Sequence, residues 1–417
     1  MTAQEHTLSN GLRVLLAPDR SARRVAVRVL FRSGMANDPV ALRGLTRVVG
    51  LFLEDPSTRH VPRALRASLF RTLGVEDYDV SHNVDLDETE LSFTVAPTEL
   101  GVALWLESDR MGFLLDGVDE NTVRQKVTSV TYPSGVFSGA LRLGRAELFG
   151  DAHPYGGEPA PMRAGVRDVR AYIQKHFVPR NTVISIAGNF APAIVKSQLE
   201  EMFGPILDTP APELPSAPKV EIATERRIRI EANVAQPECL MVWPTPPFLE
   251  ADDLVLDGLS LVLRQRLQKR LLDGKLASST AARQISKRLG SAFHVAAAAA
   301  EGHTVEEMER LLNEEIEKLR KDGPTAEEGT RAQRSLLTST LLNLSEPTGQ
   351  TYFLTMFLHV KGDATFLPRF VSGYEAVSAA AIQRVANKYL SKGRVLVTVT
   401  PSPSAPGFGR LLKGGAK

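Results

Sequence analysis

Metal chemistry needs histidines, cysteines or carboxylates at helical or hairpin spacing. The eight histidines of this chain do not have it: none stands in an H-x-x-x-H, H-x-x-E-H or H-x-H pattern, so no single stretch carries a set of zinc ligands. His294 lies in a strand pattern and reads as a half-buried, hydrogen-bonded histidine. The lone cysteine, Cys239, alternates with apolar residues in PECLMVW. It reads as a buried, inert thiol and can form no internal disulfide. No G-x-S-x-G elbow exists, and Ser278-Ser279 alone does not make a serine nucleophile. The basic pairs Arg226-Arg227 and Lys269-Arg270 read as solvated faces.

One stretch keeps the frame of a catalytic helix without its chemistry. Residues 44–54 read GLTRVVGLFLE. This resembles the zinc-binding helix of the pitrilysin and mitochondrial-processing-peptidase family, the inverzincins, which reads roughly G-L-A-H-L-L-E-H-M-L-F. Laid over it without a gap, the first His of H-x-x-E-H falls on Arg47, the Glu on Gly50 and the second His on Leu51. Zinc takes imidazole nitrogens or carboxylate oxygens at about 2.0–2.2 Å, and the Glu serves as general base toward its water. Arg47 is a permanent cation, Leu51 has no lone pair and Gly50 has no side chain. The resemblance implies a third ligand on a downstream helix, read here over residues 123–132, where it falls near Thr131.

A second functional pair of that family is also absent. The resemblance implies an Arg and, seven residues on, a Tyr in the C-terminal half, where they hold substrate backbone and assist the oxyanion. The matching stretch here is LLDGKLASS. The Arg falls on Leu271, with Arg270 one place away, and the Tyr falls on Ser278. The resemblance also implies a substrate-pairing strand at YDVSH, that is Tyr78, Asp79, Val80, Ser81 and His82.

The elements that must position these residues follow from period and punctuation. Asn10-Gly11 between two alternating runs predicts an opening hairpin. Residues 23–34 and 90–95 alternate as strands, and helical patterns cover 64–73, 97–113 and 119–149, with a break at Pro133. His153-Pro154-Tyr155-Gly156 and the strand ending in Gly188-Asn189 match turns of the same family. Four prolines in residues 207–218 predict a stiff connector. Beyond it the order of strands and helices repeats. The expected fold is therefore α+β, two homologous domains over 1–206 and 219–417, each a mostly antiparallel sheet packed with helices. By resemblance these are half of a clam-shell. No G-x-G-x-x-G follows a strand, which argues against a dinucleotide-binding fold.

Composition bounds the rest. With 417 residues, 43% hydrophobic, 24% charged and net charge +2, the chain reads as globular, with nothing to suggest a nucleic-acid partner. No apolar run is long enough for a membrane span. The start has no signal-peptide pattern, so the chain as given reads as cytoplasmic, or periplasmic if a leader has been removed. Two functions remain in view. The first is a non-catalytic subunit of a two-chain zinc metallopeptidase: it binds peptide and closes the chamber for an active H-x-x-E-H relative. That partner, not this chain, would carry the zinc; alone, the chain would form a homodimer. The alternative is a scaffold or binding protein with no role in proteolysis, like the core subunits of respiratory complexes.

Overall fold

The computed structural model describes residues 3–54, 56–65, 68, 80–131, 136–157 and 163–402. The chain opens with β1 (Gln4–Thr7), β2 (Arg13–Pro18) and β3 (Val25–Phe31), then α1 (Leu45–Glu54). Next come β4 (Ser81–Val84), β5 (Thr89–Val95), α2 (Leu100–Phe113), α3 (Glu120–Ser129) and α4 (Ser138–Phe149). α5 (Val166–His176), β6 (Thr182–Gly188) and α6 (Pro192–Phe203) follow. After the connector stand β7 (Arg226–Ala232), β8 (Glu238–Thr245), α7 (Asp253–Leu267), β9 (Ala277–Ile285) and β10 (Ser291–Ala299). The chain ends with α8 (Val305–Asp322), α9 (Ala326–Ser345), α10 (Pro347–Lys361), α11 (Leu367–Glu375), α12 (Ala379–Tyr389) and β11 (Val395–Pro401). The helix expected over 64–73 lies mostly outside the described residues.

Two sheets result. One has six strands in the order β1-β2-β6-β3-β5-β4, the other five in the order β7-β11-β8-β10-β9. Each has a single parallel pair, β2 with β6 and β7 with β11; every other pair is antiparallel. The sheets are therefore copies of one topology, the first with β1 added at its edge. The hairpin turn at Asn10-Gly11 explains that addition. Gly11 takes φ +83°, and Asn10 turns inward to donate from Nδ2 to Phe203 O and Ile206 O at 2.7 and 3.1 Å. It thereby serves carbonyls at the end of α6 that have no partner within the helix.

The compact units do not coincide with the contiguous halves expected from the sequence. The first comprises Met1–Thr131, Met162–Pro215 and Thr340–Leu367; the second comprises the rest. The break at Pro215 falls inside the proline-rich connector, and residues 207–223 form no helix or strand. Two helices are exchanged. α10 belongs to the first unit: Leu354 and Leu358 pack on Leu15, Ala17, Val183 and Ala187, and Thr351 O accepts from Ser185 Oγ at 3.0 Å. α4 belongs to the second unit, where Gly144 lies against Val242, Leu240 and Val397. Each therefore covers the same pair of strands in its sheet, β6 and β3 or β11 and β8. The reason is physical: α10 buries Phe353, Leu354, Met356, Phe357 and Leu358, more of its circumference than a surface helix would. Helices α1, α2, α5 and α6 cover the opposite face of the first sheet and form its main core. Among the described residues, no helix is long and apolar enough to cross a membrane.

Candidate functional site

α1 is fixed from its start by a buried acid. Asp38 accepts from Gly44 N at 2.7 Å and Thr46 N at 2.9 Å, which places a carboxyl at the N-terminus of the helix. Burial pushes this carboxyl up to about 6. Thr46 Oγ1 and Tyr172 Oη stand 2.6 Å apart and tie α1 to α5. Leu45, Val48, Val49, Phe52 and Leu53 are buried, while Arg47 and Leu51, one helical turn apart, are half-buried. These are the two positions at which the resemblance would place histidines.

Gly50, in the position of the general base, is closed off. A Cβ there would sit 2.4 Å from Val84 Cγ2 and 3.9 Å from His82 Cδ2. The missing side chain is what lets β4 approach α1, so the volume of the catalytic carboxylate is occupied by a valine. Two cations hold the last turn of the helix. Arg110 Nη1 donates to Leu53 O and Lys126 Nζ to Leu51 O, both at 2.6 Å. Lys126 also lies 4.9 Å from the centroid of Phe52. Cations at a helix C-terminus are stabilising, and Arg110 is also paired with Glu107 at 3.2 Å. Among the described residues, no group of three His, Cys, Asp or Glu side chains is arranged to hold a metal. The residues at the motif positions do not fit zinc.

Thr131 corrects a sequence expectation. The helix expected to run through it, α3, stops at Ser129, and Thr131 is exposed beyond its end. Thr128 and Ser129 both turn their hydroxyls back to Gln125 O at 2.8 Å, which satisfies a terminal carbonyl and competes with further helix. In the second unit, Leu271 lies in a π-helical turn, Gln268–Leu272, that extends α7, and it is fully buried. Ser278 Oγ donates to Gln236 Oε1 and is 3.3 Å from both Ala298 O and Ala299 O. Arg270, one place from Leu271, is ion-paired: its two terminal nitrogens bond Glu315, at 2.5 Å, and Glu314 on α8.

Comparison with known proteins agrees with this geometry. Residues 164–336 match the family model described as the peptidase M16 inactive domain. Among curated proteins none matches. A protease from Helicobacter pylori superposes with TM-score 0.82 at 19% identity, over 96% of this chain and 100% of that one. What the chain is similar to is therefore a set of M16 peptidase-like proteins. A chain of complex III2 from Candida albicans has TM-score 0.75 at 14% identity, over 95% of this chain and 96% of that one. The periplasmic protease PqqL from Escherichia coli has TM-score 0.74 at 13% identity; all of this chain covers 50% of PqqL. At these identities the solved structures speak for the fold alone.

The first sheet ends in an edge strand among the described residues. β4 is the outermost strand of the first sheet, and among the described residues it pairs only with β5. Tyr78 and Asp79 lie outside the described residues. Val80 packs against the core of its unit, His82 and Val84 face α1, and Ser81 and Asn83 are exposed. Ser81 and Asn83 stand opposite Ser92 and Glu90, and Glu90 is ion-paired with Arg28. His82 Nε2 is 3.7 Å from Glu54 Oε2.

Three further side chains complete the picture. Cys239 is buried and its thiol is pushed up to about 12, in keeping with an inert role. His294, expected to be hydrogen-bonded, is not: its Nε2 is buried without a partner. Burial, with Arg145 and Arg283 nearby, pushes it down to about 3 and keeps it neutral. Tyr155 of the His-Pro-Tyr-Gly turn is buried and accepts from Leu289 N at 2.9 Å, a bond that anchors the turn. Sequence reasoning missed Val84, Lys126 and Asp38. Asp38 alone left a trace, as an N-capping residue type shortly before Gly44-Leu45.

Proposed function

We propose that this chain is the non-catalytic member of a two-chain zinc peptidase. An active relative with an intact H-x-x-E-H helix supplies the zinc. This chain supplies wall and peptide-binding surface, with an extended peptide added to the edge of β4 by main-chain pairing. The observation that carries the reading is Gly50: a Cβ there would meet Val84, and among the described residues the outer edge of β4 has no strand partner. The likeness to PqqL, of which this chain covers half, supports a division of labour between two such pieces and favours a periplasmic setting. On its own the chain would pair with a second copy through the same surface.

The test is reconstitution with the active relative, following peptide hydrolysis. The expected result is a higher kcat/KM in the presence of this chain. The likeness to a complex III2 chain favours a second reading, a scaffold with no part in proteolysis. A relative that cleaves equally fast with and without this chain, over a range of peptide lengths, would decide for the scaffold.

A further inference from the structure

The first unit holds a cavity of about 610 Å³ between α2 and α6. Val102, Trp105, Phe190 and Met202 line it, half-buried, and pack on the main core beneath. Ile194 lines it as well and is 60% exposed. Together they leave a contiguous apolar surface open to water, the kind that marks a binding site on a folded chain. Gly101 makes the room. A Cβ at this position would lie 3.0 Å from Gln198 Nε2, so the amide of Gln198 occupies the space that a side chain on α2 would take.

No side chain that lines the cavity is charged; besides the Trp105 indole, its polar side chains are Thr98 and Gln198. Among the described residues, neither the Gln198 amide nor the Trp105 N–H has a hydrogen-bond partner. A charged ligand entering here would lose its hydration and gain no counter-charge. Aromatic faces and a thioether instead favour another aromatic ring. The volume, the apolar walls and the few polar groups are those of a small-molecule site. A macromolecular partner fits poorly. From Ile194 to Met202 the α6 wall runs about 12 Å, at 1.5 Å per residue. A stable protein interface covers about 800 Å² on each partner, far more than a groove of that length offers.

We propose that this cavity binds an uncharged, largely aromatic small molecule that carries one hydrogen-bonding group. Its ring system rests against Trp105, Phe190 and Met202. Its polar group meets the Gln198 amide, which can both donate and accept. The site rests on no part of the peptidase reading: an active partner, a bound peptide or a scaffold role would each leave it as it is.

N-Phenyl-1-naphthylamine, uncharged and aromatic with one N–H, serves as the probe, and the full chain supplies the reporter. The chain has two tryptophans, and Trp243 is fully buried with its N–H on Ser391 O at 2.8 Å. Nitrogen-15 labelling of tryptophan therefore gives two indole resonances, and the one missing from Trp105→Phe belongs to Trp105. Titration should move that resonance and not the other, saturating at about one probe per chain with Kd below about 100 μM. Ile194→Glu, at an exposed position, should raise Kd by about tenfold or more. Gln198→Ala, which removes the amide, should raise it by about three- to tenfold. 8-Anilinonaphthalene-1-sulfonate, the same rings with a fixed charge, should bind about tenfold more weakly or worse. No saturation up to about 1 mM, or movement of both resonances together, would overturn the proposal. So would equal affinity for the sulfonate or an unchanged Kd in either variant. A dimer of the parent that Ile194→Glu dissociates in sedimentation would give the cavity to a second copy and overturn it as well.

Discussion

Gly50→Ala is the smallest step back toward a catalytic helix, and its cost can be worked from one contact. The new Cβ would stand 2.4 Å from Val84 Cγ2, where ordinary contact begins at 3.4 Å. Val84 is β-branched and held in a strand, so it has few rotamers into which it can retreat. Overpacking of this kind costs about 1–3 kcal/mol. Against that, Ala in place of Gly in a helix interior gains about 1 kcal/mol. The expected net is a destabilisation of about 1 kcal/mol. Val84→Ala removes the clashing methyl, so Gly50→Ala in that background should stabilise by about 1 kcal/mol, the propensity gain alone. The sign reversal, a coupling of about 1–3 kcal/mol, is what a double-mutant cycle measures. Urea unfolding of the four proteins, followed by circular dichroism, supplies it. A stabilised Gly50→Ala single variant, or one with equal effect in both backgrounds, would refute the packing argument.

Two other outcomes follow from the same geometry. Arg47→His, Gly50→Glu and Leu51→His combined should neither bind stoichiometric zinc nor cleave peptides. Val84 fills the carboxylate volume, Lys126 holds an ammonium at Leu51 O, and Thr131 lies past the end of α3; about one zinc per chain after dialysis would contradict this. Asn10→Ala should cost about 1–3 kcal/mol in urea unfolding, because it removes the two bonds that a buried side chain makes to Phe203 O and Ile206 O. A loss below about 0.5 kcal/mol, the level of a neutral surface change, would show that water serves them as well.

The absence of zinc chemistry at the motif was readable residue by residue, because the ability to bind a metal is a property of the side chain itself. Arg47, Gly50 and Leu51 lack the donors in any fold. The opening hairpin was readable too, since Asn10-Gly11 encodes a local turn that needs positive φ at the glycine. So was the α+β class, which follows from the order of the elements. The exchange of α4 and α10 was not. An apolar helix specifies that it must be buried and leaves open which sheet buries it, and the bond from Ser185 to Thr351 joins residues 166 positions apart. The end of α3 was misread because Thr128 and Ser129 choose between helix and back-bonding by small local energies. His294 looked satisfied because alternation locates a face and says nothing of the neighbours on it, here Arg145 of α4 and Arg283 of β9. Gly50 joins the two kinds of knowledge. Its type announced a lost catalytic group, and only the packed structure showed Val84 in the vacated space, because the distance between α1 and β4 is set by every contact between them.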